Sequence, residues 1–440
     1  MKSLGRRQFM TTSVGAAAAA AAAPRRALSA ADRITVGIMG LGNRGTSWVR
    51  DLAKRDDVEI AYLCDVDATR FERASEIVDS AGRTPPAKVR DFRRVLDDPD
   101  VDALVVATRH HWQALATITA CQAGKDVYVE KPGSHNAWEG HKMVEAARKY
   151  RRVVQVGLQN RSAAYLRGAR EYVQSGRLGE LHLVRVLNMD EGRLRPKGPD
   201  VPVPPTLDWD MWCGPGPLQP YSPGTWHLNR FDYSTGLIAD GGVHQLDVMR
   251  YVVGLDEPQS VAHAGGVYRF RDGRDIPDTQ LVTFEYPGLT LMFQAALWAH
   301  YMRETPTPIR DGDGFPDWLF NATKIEVFGS EGMLLVGRMG GGWLAYDRDG
   351  AVVESSYGRQ ASAEHMSNFL DCVRGRERPN AEVEDAQKST LLVHLANASY
   401  RAGNRKLAYD ADTGRIRDDA EADAFMRREA RQPWIIPEHV

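Results

Sequence analysis

The sequence predicts an α/β protein in which a doubly wound parallel sheet is followed by a second α/β domain with a largely antiparallel open sheet. Three observations predict this class. Strand-like and helix-like segments alternate from residue 33 to residue 157, as they do when helices cross between parallel strands. Short strand-like segments separated by turns then run from residue 260 to residue 346, which is typical of antiparallel sheets. The length of 440 residues suits two domains.

The composition is that of an ordinary globular protein without a marked charge. The formal net charge is −2 and no basic tract stands out, so no nucleic-acid partner is expected. Small molecules or further copies of the chain are the expected partners. The four cysteines are far apart and form no CxxC pair, so the sequence predicts neither a metal site nor a disulfide framework.

The N-terminus has the pattern of a twin-arginine export signal. A paired arginine at residues 6–7 is followed by Phe9, by an alanine-rich run over 16–23 and by small residues over 28–31 that offer a cleavage site. We therefore expect residues 1–31 to be a signal peptide and the mature protein to be periplasmic or secreted. The run is too short and too weakly apolar to span a bilayer, so no membrane association is expected after cleavage. The alternative is a disordered alanine-rich tail.

The first predicted strand runs directly into a glycine-rich turn. An apolar segment over residues 33–39 precedes the turn and a helical pattern follows it, which is the context in which GxGxxG binds a dinucleotide. The first glycine permits the tight turn, the second lets the backbone approach a pyrophosphate at the helix N-terminus, and the third lets helix and strand pack closely. A Rossmann domain is therefore predicted over residues 32–157. The cofactor-binding residues expected at this turn are Gly40, Leu41, Gly42, Asn43, Arg44 and Gly45.

An acid ends the second predicted strand. Asp65 follows the apolar segment 60–64 at the spacing expected after GxGxxG. A carboxylate there accepts hydrogen bonds from the adenosine ribose hydroxyls and repels the 2′-phosphate of NADP. NAD is therefore the predicted cofactor, while Arg70, close by in sequence, leaves NADP open. The structural alternative for Asp65 is a turn or helix N-cap residue.

Two further strands of the parallel sheet end in polar residues. The strand over residues 101–107 leads into Thr108 and His111, which would line the nicotinamide side of a cleft or, equally, cap the next helix. The next strand leads into Glu130, Lys131 and a proline whose peptide bond can be held cis. Ligands lie at the carboxyl ends of parallel strands, so Glu130 and Lys131 are predicted at the cofactor. The alternative is a surface turn with a solvated lysine.

Two segments of the second half are candidates for substrate contacts. A long polar loop over residues 191–236 carries aromatic side chains that either stack on a sugar ring or pack on their own domain. They are Trp209, Trp212, Trp226 and His227. In the helix that follows, Asp240 and His244 lie one turn apart and therefore on one face. Such a pair can relay a proton; the alternative is an N-cap aspartate with a buried or surface histidine.

The C-terminal part contains two helices and a charged tail. The helices over residues 364–373 and 383–400 are expected to return and pack on the body of the protein. The tail, residues 410–440, is expected to dock on the body or on a neighbouring subunit. The predicted second domain, which carries the candidate substrate contacts, therefore spans residues 158–409.

With these motifs in place, the sequence resembles the glucose–fructose oxidoreductase/inositol dehydrogenase (Gfo/Idh/MocA) family over nearly all of the chain after the signal. The motifs are the glycine-rich turn, Glu130-Lys131-Pro132 and Asp240-Gly241-Gly242-Val243-His244. The resemblance implies a Rossmann domain followed by an α/β domain, NAD(P) as cofactor, sugars, cyclitols or their derivatives as substrates, and a homo-oligomer. It also implies that Lys131, Asp240 and His244 form the catalytic group. One departure is Thr108-Arg109-His110, where many relatives have Thr-Pro-Asn or Thr-Pro-Asp, which changes the stiffness and charge of this loop.

Three hypotheses of function follow. In the first, an oxidoreductase transfers hydride from a hydroxyl-bearing carbon to NAD(P). His244 is then the general base, since its usual pKa is near neutrality, and Lys131 stabilises the reacting oxygen. Asp240 orients these two groups, and Glu130 positions Lys131. In the second, motivated by export, a tightly bound NAD is recycled in each turnover of a redox-neutral glycosidase or epimerase. In the third, the fold binds a sugar or nucleotide without catalysis, which gives the three polar side chains no use.

Overall fold

The structure is a computed structural model that describes residues 33–440. The predicted signal peptide, residues 1–31, lies outside the described residues. Within residues 33–440, no helix is both long and apolar enough to cross a bilayer. Two sheets organise the described chain, and they correspond to the two sheets that the sequence predicts.

Six parallel strands form the first sheet. They are β1 (Ile34–Met39), β2 (Val58–Cys64), β3 (Ala87–Val89), β4 (Ala103–Val106), β5 (Asp126–Val129) and β6 (Val154–Val156). Their order across the sheet is β3-β2-β1-β4-β5-β6, so the winding reverses between β1 and β4. The carboxyl ends of these two strands border the crevice where a doubly wound sheet binds its ligand. The predicted doubly wound parallel sheet is confirmed.

The segments between these strands form five helices, since their apolar residues recur at helical spacing. They are α1 (Asn43–Ala53), α2 (Phe71–Ser80), α3 (Arg93–Leu96), α4 (His110–Gln122) and α5 (Ala137–Lys149). Helix α4 is buried along almost its whole length, since it lies between the first sheet and the remainder of the chain. Helix α1 instead buries one stripe, which includes Trp48 and Leu52, as an amphipathic helix does.

Ten strands form the second sheet. They are β7 (Leu181–Met189), β8 (Ser260–Gly266), β9 (Thr279–Tyr286), β10 (Leu289–Ala296), β11 (Lys324–Gly329), β12 (Gly332–Gly337), β13 (Trp343–Asp347), β14 (Val352–Ser356), β15 (Leu407–Asp410) and β16 (Arg415–Arg417). Their order is β14-β13-β12-β11-β7-β10-β9-β8-β15-β16. Within the described part of this second sheet, only β7 and β10 pair in parallel, so the predicted largely antiparallel sheet is confirmed.

The other helices pack between and beside the sheets. They are α6 (Ala164–Gln174), α7 (Trp209–Cys213), α8 (Val243–Val253), α9 (Thr307–Arg310), α10 (Ser362–Gly375), α11 (Val383–Arg401) and α12 (Ala420–Ala424). Helix α10 belongs to the core of the first sheet, where Phe369 packs edge-to-face on Tyr128 at 5.7 Å. The two late helices therefore return to the body, as the sequence predicts, and one of them covers the Rossmann sheet.

The C-terminal tail docks on its own chain. Strand β16 extends the second sheet by pairing with β15. Trp434 is 8% exposed and meets the ring of Trp112 edge-to-face at 5.0 Å. Of the two predicted alternatives, the described structure has the tail on the body of the protein. The segment closes a cavity of about 1050 Å³ against α4 and α5, away from the cleft between the domains.

Candidate active site

The glycine-rich turn between β1 and α1 has the geometry of a phosphate cradle. A β-carbon on Gly45 would lie 1.7 Å from the carbonyl oxygen of Gly40, so this close packing of helix on turn requires glycine. Gly42 is the N-cap of α1, and apart from its own neighbours in the chain no described residue lies within 4 Å of the position that its β-carbon would take. The first amides of α1 are thus open to an anion, and Asn43 and Arg44, the first residues of the helix, do not repel one.

Asp65 lies beside this turn at the carboxyl end of β2. Its Oδ2 accepts a hydrogen bond of 2.6 Å from the backbone N–H of Leu41, and its Oδ1 accepts one of 2.9 Å from Asp67. Burial raises the pKa of Asp65, while these two amides oppose the shift. The carboxylate is half-buried and keeps lone pairs for a further donor. Arg70 is turned to Asp67, with Nε 3.4 Å from its Oδ2.

Glu130 does not position Lys131, contrary to the prediction from the sequence. The Glu130 carboxylate is 6% exposed and accepts hydrogen bonds from Arg44 Nε at 2.7 Å and Trp48 Nε1 at 2.9 Å. Arg44 in turn lies over the Trp48 ring, 4.2 Å from its centroid. Glu130 therefore fixes α1 and the end of the glycine-rich turn. Glu130 thus contacts the predicted cofactor turn through Arg44.

Lys131 and Asp240 are in direct contact across the two domains. Lys131 Nζ donates to Asp240 Oδ1 at 2.7 Å and also to the backbone carbonyl of Asp240. The Lys131–Pro132 peptide bond is cis, as the sequence analysis allowed. Gln113 of α4 donates to the Lys131 carbonyl at 3.2 Å, and Thr390 of α11 donates to the Pro132 carbonyl at 2.8 Å. The turn is held on both sides and is not a solvated surface turn.

Asp240 lies in a π-helical turn, Ile238–Gly242, and not at an N-cap as its sequence position indicated. Helix α8 begins after this turn, with Gly242 as its N-cap. A β-carbon on Gly242 would lie 2.5 Å from the ring of Phe293 on β10, so the turn can reach the second sheet only with glycine here. Such turns recur at functional sites. The Asp240 side chain is 75% exposed to the cleft, and the charge of Lys131 holds its pKa well below the usual range.

His244 follows in the first turn of α8 and is buried, with 7% of its surface exposed. Burial, followed by the positive charges of Arg338 and Lys131, lowers its pKa well below the usual value. The imidazole is therefore neutral at physiological pH and able to accept a proton. His244 lies close enough to Lys131 for the charge of the ammonium to lower the pKa of the imidazole. Within residues 33–440, no hydrogen bond joins His244 to Lys131 or to Asp240.

The residues after β4 divide between the cleft and the interior. Thr108 is half-buried at the strand end, and its carbonyl accepts from Gln113 at 3.3 Å. The structure places the His111 side chain in the interior, and its predicted contact with the cofactor stays a prediction. It is 1% exposed, and its Nε2 lies 3.0 Å from the Trp212 carbonyl and its Nδ1 3.3 Å from that of Tyr233. Burial lowers its pKa to about 3, so the imidazole is neutral and carries a single N–H. Only one of the two carbonyls can therefore accept a hydrogen bond from it.

The aromatic residues of the long loop pack mainly on one another. Trp209 and Trp212 stack with ring centroids 4.6 Å apart, and Trp212 meets His227 at 4.7 Å. Trp209 and Trp226 are 8% and 3% exposed, so the packing alternative holds for these two. Trp212 is half-buried and is the tryptophan of the loop cluster with the most surface left for a ligand.

Sequence reasoning missed three residues of the site. Gln113 ties the end of β4 to the Lys131 turn and carries no motif of its own. Arg195, in the long loop, and Arg338, just after β12, bring positive charge to the cleft. The run Gly340-Gly341-Gly342 after Arg338, with φ of +72°, +79° and +68°, marks a tight turn that could have drawn attention to this strand end. Within residues 33–440, no group of three or more His, Cys, Asp or Glu side chains is arranged to hold a metal ion.

Three family models match consecutive parts of the chain. Residues 34–158 match the model described as oxidoreductase family, NAD-binding Rossmann fold. Residues 166–335 match the GFO/IDH/MocA C-terminal domain, and residues 358–436 match the oxidoreductase family, C-terminal alpha/beta domain. The first of these covers the glycine-rich turn, Asp65 and Lys131, and the second covers Asp240 and His244.

The chain is also similar to individual proteins of related function and fold. The chain is 24% identical to a myo-inositol 2-dehydrogenase of Thermotoga maritima, over 83% of this chain and 95% of that one. It is 36% identical to a glycosyl hydrolase family 109 protein of Saccharopolyspora erythraea, but over only 29% of this chain and 28% of that one. The fold is similar to that of the WlbA dehydrogenase of Bordetella pertussis in complex with NADH and UDP-GlcNAcA, with a TM-score of 0.64, 18% identity, and coverage of 86% of this chain and all of that one.

Proposed function

The chain belongs to the Gfo/Idh/MocA family of oxidoreductases and has an NAD-binding Rossmann domain, and on this basis we propose that it oxidises a hydroxyl-bearing carbon of a sugar, a cyclitol or a derivative of one. The observation that carries the proposal is the contact of Lys131 with Asp240 at the carboxyl edge of the first sheet. The relative that acts on myo-inositol, and the structural neighbour solved with a nucleotide sugar, support the substrate class.

The residues of the glycine-rich turn fit the cofactor. The open N-terminus of α1 at Gly42 suits the pyrophosphate, and Asp65 suits the adenosine ribose. Asp65 also favours NAD over NADP, since its carboxylate repels a 2′-phosphate. Thr108, at the end of β4, remains the predicted neighbour of the nicotinamide. When bound, NAD supplies the ring that accepts a hydride.

Lys131 is the group that would hold the reacting oxygen. An ammonium has three donors, and Asp240 takes two of them through its carboxylate and its backbone carbonyl. The third donor is left for the substrate hydroxyl. As this hydroxyl loses its proton, the fixed positive charge stabilises the developing negative charge on oxygen. Asp240 orients the ammonium through its two hydrogen bonds.

His244 would accept the proton. Its imidazole is kept neutral by burial and by nearby cations, so the lone pair is available. The same environment makes the imidazole a weak base, and so the proton is passed on readily and not retained. The site therefore makes His244 a weaker base than a free imidazole. Its role as general base stays a prediction.

The test is a Lys131→Ala variant assayed on a panel of sugars and cyclitols with NAD. We expect kcat to fall by about 10²- to 10⁴-fold, with NAD binding retained. Lys54→Ala, an exposed lysine at the end of α1, is the matched control and should behave as wild type. A Lys131→Ala enzyme within tenfold of wild type would remove Lys131 from the mechanism.

A second candidate function is a redox-neutral glycosidase or epimerase with a retained NAD. A strap, defined here as residues 206–208 of the long loop, pairs with the chain directly after Asp65. The Ala68 N–H donates to the Thr206 carbonyl at 2.9 Å and the Asp208 N–H to the Val66 carbonyl at 3.0 Å. Arg90 Nη2 donates a further hydrogen bond of 3.1 Å to the Thr206 carbonyl. The strap thus crosses the carboxyl ends of β2 and β3, where the adenosine half of a dinucleotide lies.

A retained nucleotide suits chemistry in which nothing is reduced overall. The substrate carbon would be oxidised to a ketone, the neighbouring C–H would lose its proton, and the glycosidic alcohol would leave. Water would then add, and the ketone would be reduced again. The short match to a glycosyl hydrolase family 109 protein favours this alternative. So does export through a twin-arginine signal, which we also propose, because an exported enzyme has no supply of soluble NAD.

One experiment separates the two candidates. Protein purified without added nucleotide is mixed with sugars and glycosides while NADH absorbance and product are followed together. NADH formed mole for mole with product would support the dehydrogenase. Product without net NADH would support the redox-neutral enzyme.

Association into a homo-oligomer remains a prediction from the family and is measured by light scattering.

A further inference from the structure

Two arginines face the cleft without an acidic partner. Arg109 is exposed at the N-cap of α4, and Arg195 is half-buried in the loop after β7. Across residues 33–440, the one side-chain partner of either guanidinium is the hydroxyl of Thr225, 2.7 Å from Arg195 Nη1. Most of the donors of these two side chains are therefore free to bind a ligand.

Two acids act on these arginines, Asp240 through its charge on Arg109 and Asp272 through the Arg195 backbone, and both are paired with other cations. Asp240 is hydrogen-bonded to Lys131 at 2.7 Å. Asp272 accepts the backbone N–H of Arg195 at 2.8 Å, but its charge is paired with Arg274 at 2.7 Å, and both of those side chains are 1% exposed. The positive charge of Arg109 and Arg195 is thus not balanced by the protein.

Contacts between side chains place both arginines near the predicted catalytic contact. Gln113 donates to the carbonyl of Thr108, the residue before Arg109, and to that of Lys131. Arg195 is bonded to Thr225, two residues before His227, and the ring of Trp212 lies 4.7 Å from that of His227 and 5.6 Å from that of His111, two residues after Arg109. The pKa of His227 is lowered to about 3 by burial, and the positive charges of Arg109 and Arg195 both contribute to the shift. Although the Arg109 side chain is open to the cleft, desolvation by the surrounding protein lowers its pKa; the charge of Asp240 opposes this shift, and that of Arg195 adds to it. Arg109 is therefore within electrostatic reach of both Asp240 and Arg195. One arginine comes from each domain, so the pair spans the cleft beside Lys131.

Two partly desolvated like charges without a counter-charge are unfavourable unless a ligand supplies one. The planar guanidinium matches the geometry of carboxylates and phosphates and can bind them with two parallel hydrogen bonds. We propose that Arg109 and Arg195 together bind an anionic group of the substrate, a carboxylate or a phosphate. This rests on the proposed function, and it narrows the substrate class to acidic sugars or cyclitol derivatives.

The test measures binding to the NAD-loaded enzyme with three probes, D-glucose, D-glucuronate and D-glucose 6-phosphate. We expect at least one of the two acids to bind tenfold or more tightly than glucose. Arg109→Ala and Arg195→Ala should each weaken that acid by about 10- to 100-fold, and Arg109→Lys should recover part of the loss. Raising the salt concentration should weaken the acid and not glucose. Arg50→Ala, an exposed arginine on α1, is the control and should bind as wild type.

Two results would overturn the proposal. If neither acid binds more tightly than glucose, the arginines do not select a charged substrate. If the variants weaken NAD and leave the acids unaffected, the two arginines serve the nucleotide pyrophosphate instead. Failure of the proposed function has a different signature: an acid binds through the arginines, but neither acidic nor neutral sugars are oxidised by the loaded enzyme.

Discussion

Replacing Glu130 with alanine would show whether this residue serves the cofactor turn or Lys131. The carboxylate accepts from Arg44 at 2.7 Å and from Trp48 at 2.9 Å, and within residues 33–440 no hydrogen bond or ion pair joins it to Lys131. Glu130→Ala removes Oε1, the acceptor of both hydrogen bonds. The effect should therefore appear in the stability of the first domain and in the affinity for NAD.

The magnitude follows from the two donors that are left behind. The Trp48 side chain is 1% exposed, and a buried donor without a partner costs about 1–3 kcal/mol. Breaking a fully buried ion pair costs about 3–5 kcal/mol, but the Arg44 side chain is 38% exposed and can turn to water, so its share is smaller. We expect a total loss of about 2–4 kcal/mol in the free energy of unfolding.

Urea unfolding and NAD titration check this prediction. NAD affinity should fall by about 10- to 100-fold, because Arg44 is no longer fixed at the turn. Glu139→Ala is the matched control: Glu139 is also buried and bonded to an arginine, Arg428, at 2.6 Å, but it faces the C-terminal tail. It should lose comparable stability and keep its NAD affinity. A Glu130→Ala enzyme with normal stability and NAD affinity but strongly reduced kcat would refute this reasoning and restore the role predicted from the sequence.

Three other perturbations test the acid stability, the strap and the π turn. Seven buried histidines have pKa values lowered by burial, so below about pH 6.5 the unfolded chain binds protons that the folded chain does not, and each histidine removes up to about 1.4 kcal/mol per pH unit. They are His110, His111, His227, His244, His263, His365 and His394. Urea unfolding should give a lower free energy at pH 5.5 than at pH 7.5, and a flat profile would contradict this. Ala68→Pro removes the N–H that donates to Thr206 at a helix position that tolerates proline, so bound NAD should be released at least tenfold faster; unchanged release would show that the strap does not retain it. Gly242→Ala places a methyl group 2.5 Å from the ring of Phe293 and should shift Asp240, with kcat reduced tenfold or more and NAD affinity kept; a kcat within twofold of wild type would show that the turn adapts.

The parts of the molecule that could be predicted are those determined by neighbours in sequence. The strand, glycine-rich turn and helix from residue 34 to residue 53 form because each step depends on the few residues beside it. Asp65 is placed at the same edge by the parallel geometry of β1 and β2. The family resemblance added the separation between Lys131 and Asp240, which are 109 residues apart in the chain and in contact in the structure.

The parts that could not be predicted depend on distant partners. Glu130 is 86 residues from Arg44 and 82 from Trp48, so nothing beside it in sequence indicates which side chain it holds. His111 was assigned to the cleft because it follows a strand end, but its ring contacts carbonyls more than 100 residues away. The strands β14 to β16 lie beyond residue 346, where the predicted run of strands ends. Strand β14 is exposed along most of its length, so its sequence lacks the alternation that identifies a half-buried strand.

The two open questions about this enzyme, the fate of the hydride and the charge of the substrate, depend on separate contacts and can be answered separately. In the redox-neutral proposal, retention of NAD depends on the backbone hydrogen bonds between the strap and residues 66–68, and these bonds do not involve the substrate. Recognition of an acid depends on Arg109 and Arg195, which have no part in the strap. Ala68→Pro should therefore change the release of NAD without changing the preference for an acid, and Arg195→Ala should do the reverse. If one variant changed both, the strap and the arginines would have to act as one unit that closes on nucleotide and substrate together.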